Sequence, residues 1–210
     1  MRLGKEARIQ LPPPRRQGDM SLEEAIARRR SVRRYRPQHI SLSQLSQVLW
    51  AAQGITGTRG RFRAVPSAGA TYPLEIFVLA GRDTVAGLDE GVYRYDVESH
   101  SLDLQRKGDL RAELSAAALN QEYIAEAPAD IVVCAVYERT ARSYGGRAER
   151  YVHMEVGHVG QNIQLEAVAL GLASVVIGAF ADEGVGEILG LERQTRPLYI
   201  MPLGEPQAKD

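Results

Sequence analysis

A chain of 210 residues can bury one sizeable core, and its 44% apolar and 25% charged composition is that of a water-exposed globular domain. Its 26 basic residues balance 26 acidic ones, which removes the global positive charge that marks nucleic-acid binders. The single cysteine, Cys134, excludes an intrachain disulfide or a cysteine-pair metal site; with no apolar run as long as a membrane span or signal peptide, a cytoplasmic protein without membrane or nucleic-acid partner is expected.

Residues 1–20, with three consecutive prolines at Pro12, Pro13 and Pro14, are expected to form an extended arm ahead of one domain over 21–210. Ser21 followed by Glu24 is a helix-start pattern, and Leu22, Ala25 and Ile26 at helical spacing predict a short helix over 21–30. Its end runs into Arg28-Arg29-Arg30-Ser31-Val32-Arg33-Arg34-Tyr35-Arg36. One or two arginines there would complement the helix dipole. Six guanidinium groups in nine residues repel one another unless they share an anion, and their forked donors suit a phosphate. Pro37 blocks further helix, and Ser41 with Gln44 predicts a second one, with Leu42, Leu45, Val48 and Leu49 inward and Gly54 at its end.

Two prolines, Pro66 and Pro73, bracket small residues in a stiff loop that lets backbone amides approach a ligand closely. Strands are expected over 74–80, over 91–96 and 101–105 as a hairpin, and over the apolar run 129–137. A helix is expected over 110–119 and a long one over 147–170. Val152, Val156, Val159 and Ile163 form a helix–helix seam in the long helix, with Gly157 and Gly160 beside it. A strand over 173–177, a short helix after Asp182 and a strand over 198–203 complete the chain. Without strict strand–helix alternation the expected class is α+β.

Several chemistries are missing. Gly184, Gly186 and Gly190 do not keep dinucleotide-fingerprint spacing. His153 and His158 are five apart on a helix and point to different faces, a poor metal pair, so no metal site is expected. No serine has the setting of a hydrolase nucleophile. A phosphate site without evident catalytic side chains suggests that a bound cofactor carries the chemistry.

Arg29-Arg30-Ser31-Val32-Arg33 resembles the flavin-phosphate motif of the nitroreductase-like flavoproteins. Pro66-Ser67-Ala68-Gly69-Ala70-Thr71-Tyr72-Pro73-Leu74-Glu75 is similar to their second motif, in the form carried by the SagB-type dehydrogenase branch. Gly157-His158-Val159-Gly160-Gln161-Asn162-Ile163 resembles the third, and the run from Gly171 to Phe180 the fourth. The resemblance implies an α+β fold with a mainly antiparallel central sheet, and an intertwined homodimer with FMN at the subunit interface. By position it implies Arg29, Ser31 and Arg33 on the flavin phosphate and Arg30 on the ribitol side. Pro66, Ser67, Ala68 and Gly69 would approach from the other subunit, and Val176, Ile177, Gly178 and Ala179 would lie along the isoalloxazine. NAD(P)H would be the electron donor and an electron-poor small molecule, a nitroaromatic or quinone, the acceptor. The branch also implies an alternative, dehydrogenation of a heterocycle or amino-acid-derived substrate in a peptide-modifying pathway, or a non-catalytic flavin-binding partner of such a complex.

Three departures bear on this. Ala70 stands where many relatives have asparagine, and only Lys209 is available as a C-terminal cation for the phosphate. In the segment where azoline-oxidising enzymes carry a lysine–tyrosine acid/base pair, Tyr144 keeps the tyrosine position but Ser143 occupies that of the lysine.

Overall fold

The computed structural model describes residues 8–57 and 62–207. The arm contributes an edge strand, β1 (Arg8–Gln10), before α1 (Leu22–Arg28), β2 (Ile40–Ser41) and α2 (Leu42–Gln53). Ser21 caps α1 by accepting the Glu24 N–H, and Ser41 and Gln44 cap α2 reciprocally, as the sequence predicts. Next come β3 (Leu74–Ala80), β4 (Val85–Ala86), β5 (Gly91–Asp96), β6 (Ser101–Lys107), α3 (Arg111–Ala117), α4 (Tyr123–Glu126) and β7 (Ala129–Val136). The chain closes with α5 (Tyr137–Tyr144), α6 (Ala148–Ala169), β8 (Ala173–Ser174), α7 (Asp182–Leu189) and β9 (Thr195–Gly204).

The main sheet has the order β1-β6-β5-β3-β7-β9-β8 with every neighbouring pair antiparallel. β2 and β4 form a separate parallel pair. All eight residues of β7 are buried, which a strand covered on both faces requires. Period-two alternation sorts them. Ile131, Val133 and Ala135 join Leu45, Val48 and Leu49 of α2 and Val152, Val156, Val159 and Ile163 of α6 in one core. Val132 and Cys134 face the other way, onto Leu114, Ile124, Val185 and Leu189 from the helices of the opposite layer. The fold is α+β, a mainly antiparallel sheet between helices, and no described helix is long and apolar enough to cross a membrane.

The expected helix–helix seam at Val152, Val156, Val159 and Ile163 packs against α2 inside the chain and is no more than 3% exposed. One expectation changes. The strand expected over 173–177 is hydrogen-bonded as a ladder only at 173–174. It opens at 175–176 and closes in the same register at Ile177, which exchanges backbone bonds of 2.9 and 3.0 Å with Ile200.

Candidate cofactor site

The arginine segment is clamped between β8 and the stretch that follows β9. Ser31 bridges Ser174 in parallel, and the Val32 amide donates to the Ser174 carbonyl at 3.2 Å. Further along, the Arg36 amide donates to the Glu205 carbonyl and the Gln207 amide to the Arg34 carbonyl. Tyr35 is buried between them, its hydroxyl donating to the Val32 carbonyl at 2.8 Å. Burial raises the Tyr35 hydroxyl pKa far above its ordinary value. That anchored ring directs the flanking arginines outward.

Arg28 pairs with Glu24 at 2.6 Å, an ordinary one-turn helix pair. Among the described residues, none of Arg29, Arg30, Arg33, Arg34 or Arg36 has a carboxylate within ion-pair distance. Arg30 turns back on the helix end and donates to the Ala27 and Arg29 carbonyls at 3.0 and 2.7 Å. Arg33 lies 5.9 Å from the Tyr123 ring centre. Arg28, Arg30, Ser31 and Arg33 line a cleft of about 660 Å³ together with Ala173 and Gln207, whereas Arg29, expected on the phosphate, is not among its lining residues. The Ser174 hydroxyl is buried beside it with no partner among the described residues. Unpaired guanidinium groups around a cleft with an unsatisfied hydroxyl suit a dianionic phosphate.

From this cleft the chain runs directly into Val176, Ile177, Gly178 and Ala179, so the first and fourth motifs are brought together. Ile177 is buried, whereas Gly178 and Ala179 are exposed and the Ala179 carbonyl accepts from Gln121 Nε2 at 3.0 Å. A Cβ on Gly160 would stand 3.3 Å from the Tyr199 ring and 3.6 Å from Val176, so the glycine lets α6 approach this run closely. At Gly157 nothing lies within 4 Å.

The second motif is elsewhere. Gly69, Ala70 and Tyr72 all have positive φ, at 58°, 53° and 44°, and the two non-glycine residues are strained there. The loop is held by Ser67 Oγ, which accepts the Tyr72 N–H at 2.9 Å, and by α5. Thr140 bonds Thr71 at 2.9 Å, and Arg139 donates to the Tyr72 carbonyl at 3.0 Å and pairs with Glu75. Tyr144 completes the contact. Its hydroxyl lies against Gly69, and its ring meets Tyr151 edge-on at 5.1 Å.

Beneath Ser67 lies a group the motifs did not single out. Glu155 of α6 is 3% exposed, and Oε1 has no partner among the described residues. Burial raises its carboxyl above the ordinary value, against the opposing pull of Ser67, Gln53 and Arg63. Neither Gln53 Nε2 nor the Ser67 hydroxyl makes a hydrogen bond to it. Arg63 donates to Gln53 Oε1 at 3.3 Å and lies 4.3 Å from the Tyr72 ring centre.

Helix α6 measures the separation of the two halves. Glu155 lies under the Ser67 loop and Val168 lines the arginine cleft. Thirteen residues at about 1.5 Å rise put them roughly 20 Å apart. Along α6 the second motif therefore stands well away from the arginine cleft, while Val176 of the fourth motif packs beside Gly160, between the two. Lys209 lies outside the described residues.

A family model described as "Nitroreductase family" matches residues 26–205. Over 202 residues the chain is 48% identical to a protein of Methanocaldococcus jannaschii provisionally called nitroreductase MJ1384, covering 96% of this chain and 98% of that one. A provisionally assigned nitroreductase of Ralstonia eutropha superposes with a TM-score of 0.84 at 28% identity, covering 98% of this chain and 92% of that one. The microcin B17-processing protein McbC of Escherichia coli is 27% identical over 147 residues, 68% of this chain and 54% of McbC. A chain of the E. coli microcin synthetase McbBCD complex shares the fold, with a TM-score of 0.74 at 24% identity over 84% of this chain and 67% of that one. The order of motifs along the sequence and the near-complete coverage agree: this chain belongs to the nitroreductase family, with relatives in its SagB-type, peptide-processing branch.

Proposed function

We propose that the chain is an FMN-dependent oxidoreductase that works as a homodimer. The observation that carries this reading is the arginine cleft, whose Arg30 and Arg33 lack carboxylate partners among the described residues and whose lining residue Ala173 leads along the chain into Val176, Ile177, Gly178 and Ala179. Arg29, Ser31 and Arg33 would neutralise and hydrogen-bond the phosphate, with Arg30 toward the ribitol and the buried Ser174 hydroxyl as a further donor. Bound FMN would supply two-electron chemistry at N5, taking hydride from NAD(P)H and reducing an electron-poor acceptor such as a nitroaromatic or quinone. The apolar Val176 and Ile177 would exclude water from the ring, and Gly178 leaves an exposed backbone amide free of a side chain.

The roughly 20 Å between cleft and Ser67 loop along α6 supports a shared site. Pro66, Ser67, Ala68 and Gly69 of one subunit would then serve the cofactor held by the arginines of the other. The surface suited to that pairing is the exposed stripe Met154, Gly157, His158 and Gln161, at spacings of three, four and seven along α6.

Resemblance to McbC supports a second reading, oxidation of a heterocycle or amino-acid-derived substrate within a peptide-modifying complex. Tyr144 against Gly69 favours it, because a phenol at the loop can orient a substrate. Ser143 disfavours it, because an aliphatic hydroxyl is a far weaker base than a tuned lysine.

The test is to purify the chain, record its visible spectrum, identify the released chromophore and add NADPH without oxygen. A yellow protein that bleaches is expected. A colourless preparation that takes up no added FMN overturns the proposal, and a yellow one that no nicotinamide bleaches favours the flavin-binding partner.

A further inference from the structure

The register that pairs Ala173 with Gly204 and Ser174 with Leu203 is resumed by Ile177 and Ile200, so the next pair along is Gly178 and Tyr199. Ile177 and Ile200 exchange both backbone bonds, which makes Gly178 and Tyr199 a pair without ladder bonds, the kind whose side chains stand closest across a sheet. Gly178 has no side chain, and the Tyr199 ring takes the room. A Cβ on Gly178 would stand 3.9 Å from Cε1 of the ring, and a Cβ on Gly160 of α6 would stand 3.3 Å from Cε2. The two edges of the ring are thus held between α6 and the fourth-motif run. Just before Tyr199 the ladder slips, with Val133 opposite Tyr199 but Cys134 opposite Pro197, which leaves Leu198 as a bulge. Bulges re-aim neighbouring side chains and gather at functional sites.

An aromatic ring over a strand glycine stabilises a sheet in its own right, and phenylalanine would serve that purpose equally well. The hydroxyl needs a different reason. A tyrosine packed this closely usually spends its hydroxyl on a protein acceptor. The Tyr199 hydroxyl bonds to no described residue and, on a half-buried side chain, it reaches solvent. It does so beside Gly178, which is exposed and whose amide, turned away from β9 by the same register, has no backbone partner among the described residues.

We propose that Tyr199 is a cofactor-contacting residue: its ring fills the side-chain place at Gly178, and its hydroxyl hydrogen-bonds the isoalloxazine of FMN there. The proposal rests on the FMN reading above and adds to it a residue from outside the four motifs. A phenol donates one hydrogen bond and can also accept, so either polar edge of the flavin ring is within its chemistry. Because the Tyr199 ring is already fixed on both edges, little side-chain freedom is lost when the hydroxyl is engaged. No electron or proton changes owner in this contact.

The experiment compares the full chain with Tyr199→Phe, which keeps the ring over Gly178 and removes only the oxygen. FMN affinity of the apoprotein, read by flavin fluorescence quenching, should fall roughly three- to tenfold, the worth of one hydrogen bond. The visible absorption band of bound FMN should shift with it, because a contact to the coloured ring perturbs that band and a contact to the phosphate does not. The apoprotein should melt at the wild-type temperature, since no described residue loses a partner, while the rise in melting temperature on adding FMN should be smaller. Equal FMN affinity in the two proteins overturns this inference alone. Weaker binding with an unmoved band overturns it as well, by placing the hydroxyl away from the ring. So does a lowered apoprotein melting temperature, which would give the hydroxyl a role in the fold. A wild-type chain that binds no FMN overturns the cofactor reading with it.

Discussion

The Tyr144 hydroxyl stands 2.6 Å from the position a Cβ on Gly69 would take, and Gly69 itself has φ +58°. Two different penalties therefore meet any side chain placed there. The backbone penalty for an L-residue in the left-handed region is about 1–2 kcal/mol and cannot be relieved by neighbours. The contact penalty can, because Tyr144 is 36% exposed and its ring can swing away. Gly69→Ala should lower stability by about 1–2 kcal/mol in urea unfolding. Adding Tyr144→Ala should recover only the contact part. Full recovery in the double variant would mean that the ring, rather than the backbone, demands the glycine.

Arg29 and Arg33 flank Ser31 with no carboxylate partner among the described residues, so their removal leaves no buried charge behind and should not destabilise the fold. Each charge-assisted hydrogen bond to a phosphate contributes about 1.5–3 kcal/mol. Arg29→Ala combined with Arg33→Ala should therefore weaken FMN binding by at least about a hundredfold. Arg82→Ala is the control, because Arg82 is exposed and paired with Glu90 at 3.1 Å, away from the cleft. Unchanged flavin content in the double variant would remove these arginines from the phosphate site.

Elements whose boundaries depend on local chemistry were readable before folding. Ser41 with Gln44, and Gly54, delimit α2, and β3 spans the expected 74–80 because Pro73 precedes it and its residues are nearly all buried. Helix α5 was not readable. Tyr137–Tyr144 has no side-chain cap, and its inward face of Tyr137, Thr140, Ala141 and Tyr144 carries no large aliphatic residue; it forms where Arg139 and Thr140 find partners in the loop before β3. The break in the 173–177 strand depends on Ser174 being shared between Ser31 and β9, a contact across more than a hundred residues. Glu155 did carry a signal. It sits three residues after Val152 and next to Val156, on the inward side of α6, where a lone carboxylate needs a partner. The arginine run announced an anion, but which arginines are left unpaired depends on where the acidic side chains fall.

The position of the α6 seam changes how the proposed dimer must be tested. A charge at Val159 would enter a site that is fully buried in one chain, at a cost of several kcal/mol, and would unfold the protein whatever its oligomeric state. The informative substitution is Gly157→Glu, on the exposed stripe, where an added Cβ would meet none of the described residues within 4 Å. Replacing a helical glycine gains up to about 1 kcal/mol of helix propensity, so the monomer should melt no lower than wild type. If that stripe is the shared surface, sedimentation should report a monomer and flavin occupancy should fall with it. A variant that stays dimeric and fully loaded would move the interface to another face.

Asp130 gives a stability prediction that does not depend on the cofactor. It lies at the start of β7 on the face of the second core, fully buried, and neither carboxylate oxygen has a partner among the described residues. Burial pushes its carboxyl well above the ordinary value of 3.8; the Arg111 charge opposes this and Asp109 adds to it. A carboxyl whose pKa is higher in the folded than in the unfolded chain contributes stability that is complete below 3.8 and is lost as pH rises through the folded value. Asp109 has the opposite sign. Although burial works against it, hydrogen bonds from Arg111 and Arg82 hold its carboxyl low, so its contribution is present above the ordinary value and lost in acid. Asp130→Asn removes only the first of these dependences. Urea unfolding at stepped pH should show the variant gaining on wild type as pH rises above 3.8, while the acid side, governed by Asp109, stays shared. Parallel curves across that range would mean that Asp130 ionises in the folded chain as easily as in the unfolded one, which two unpartnered oxygens in an apolar layer do not permit.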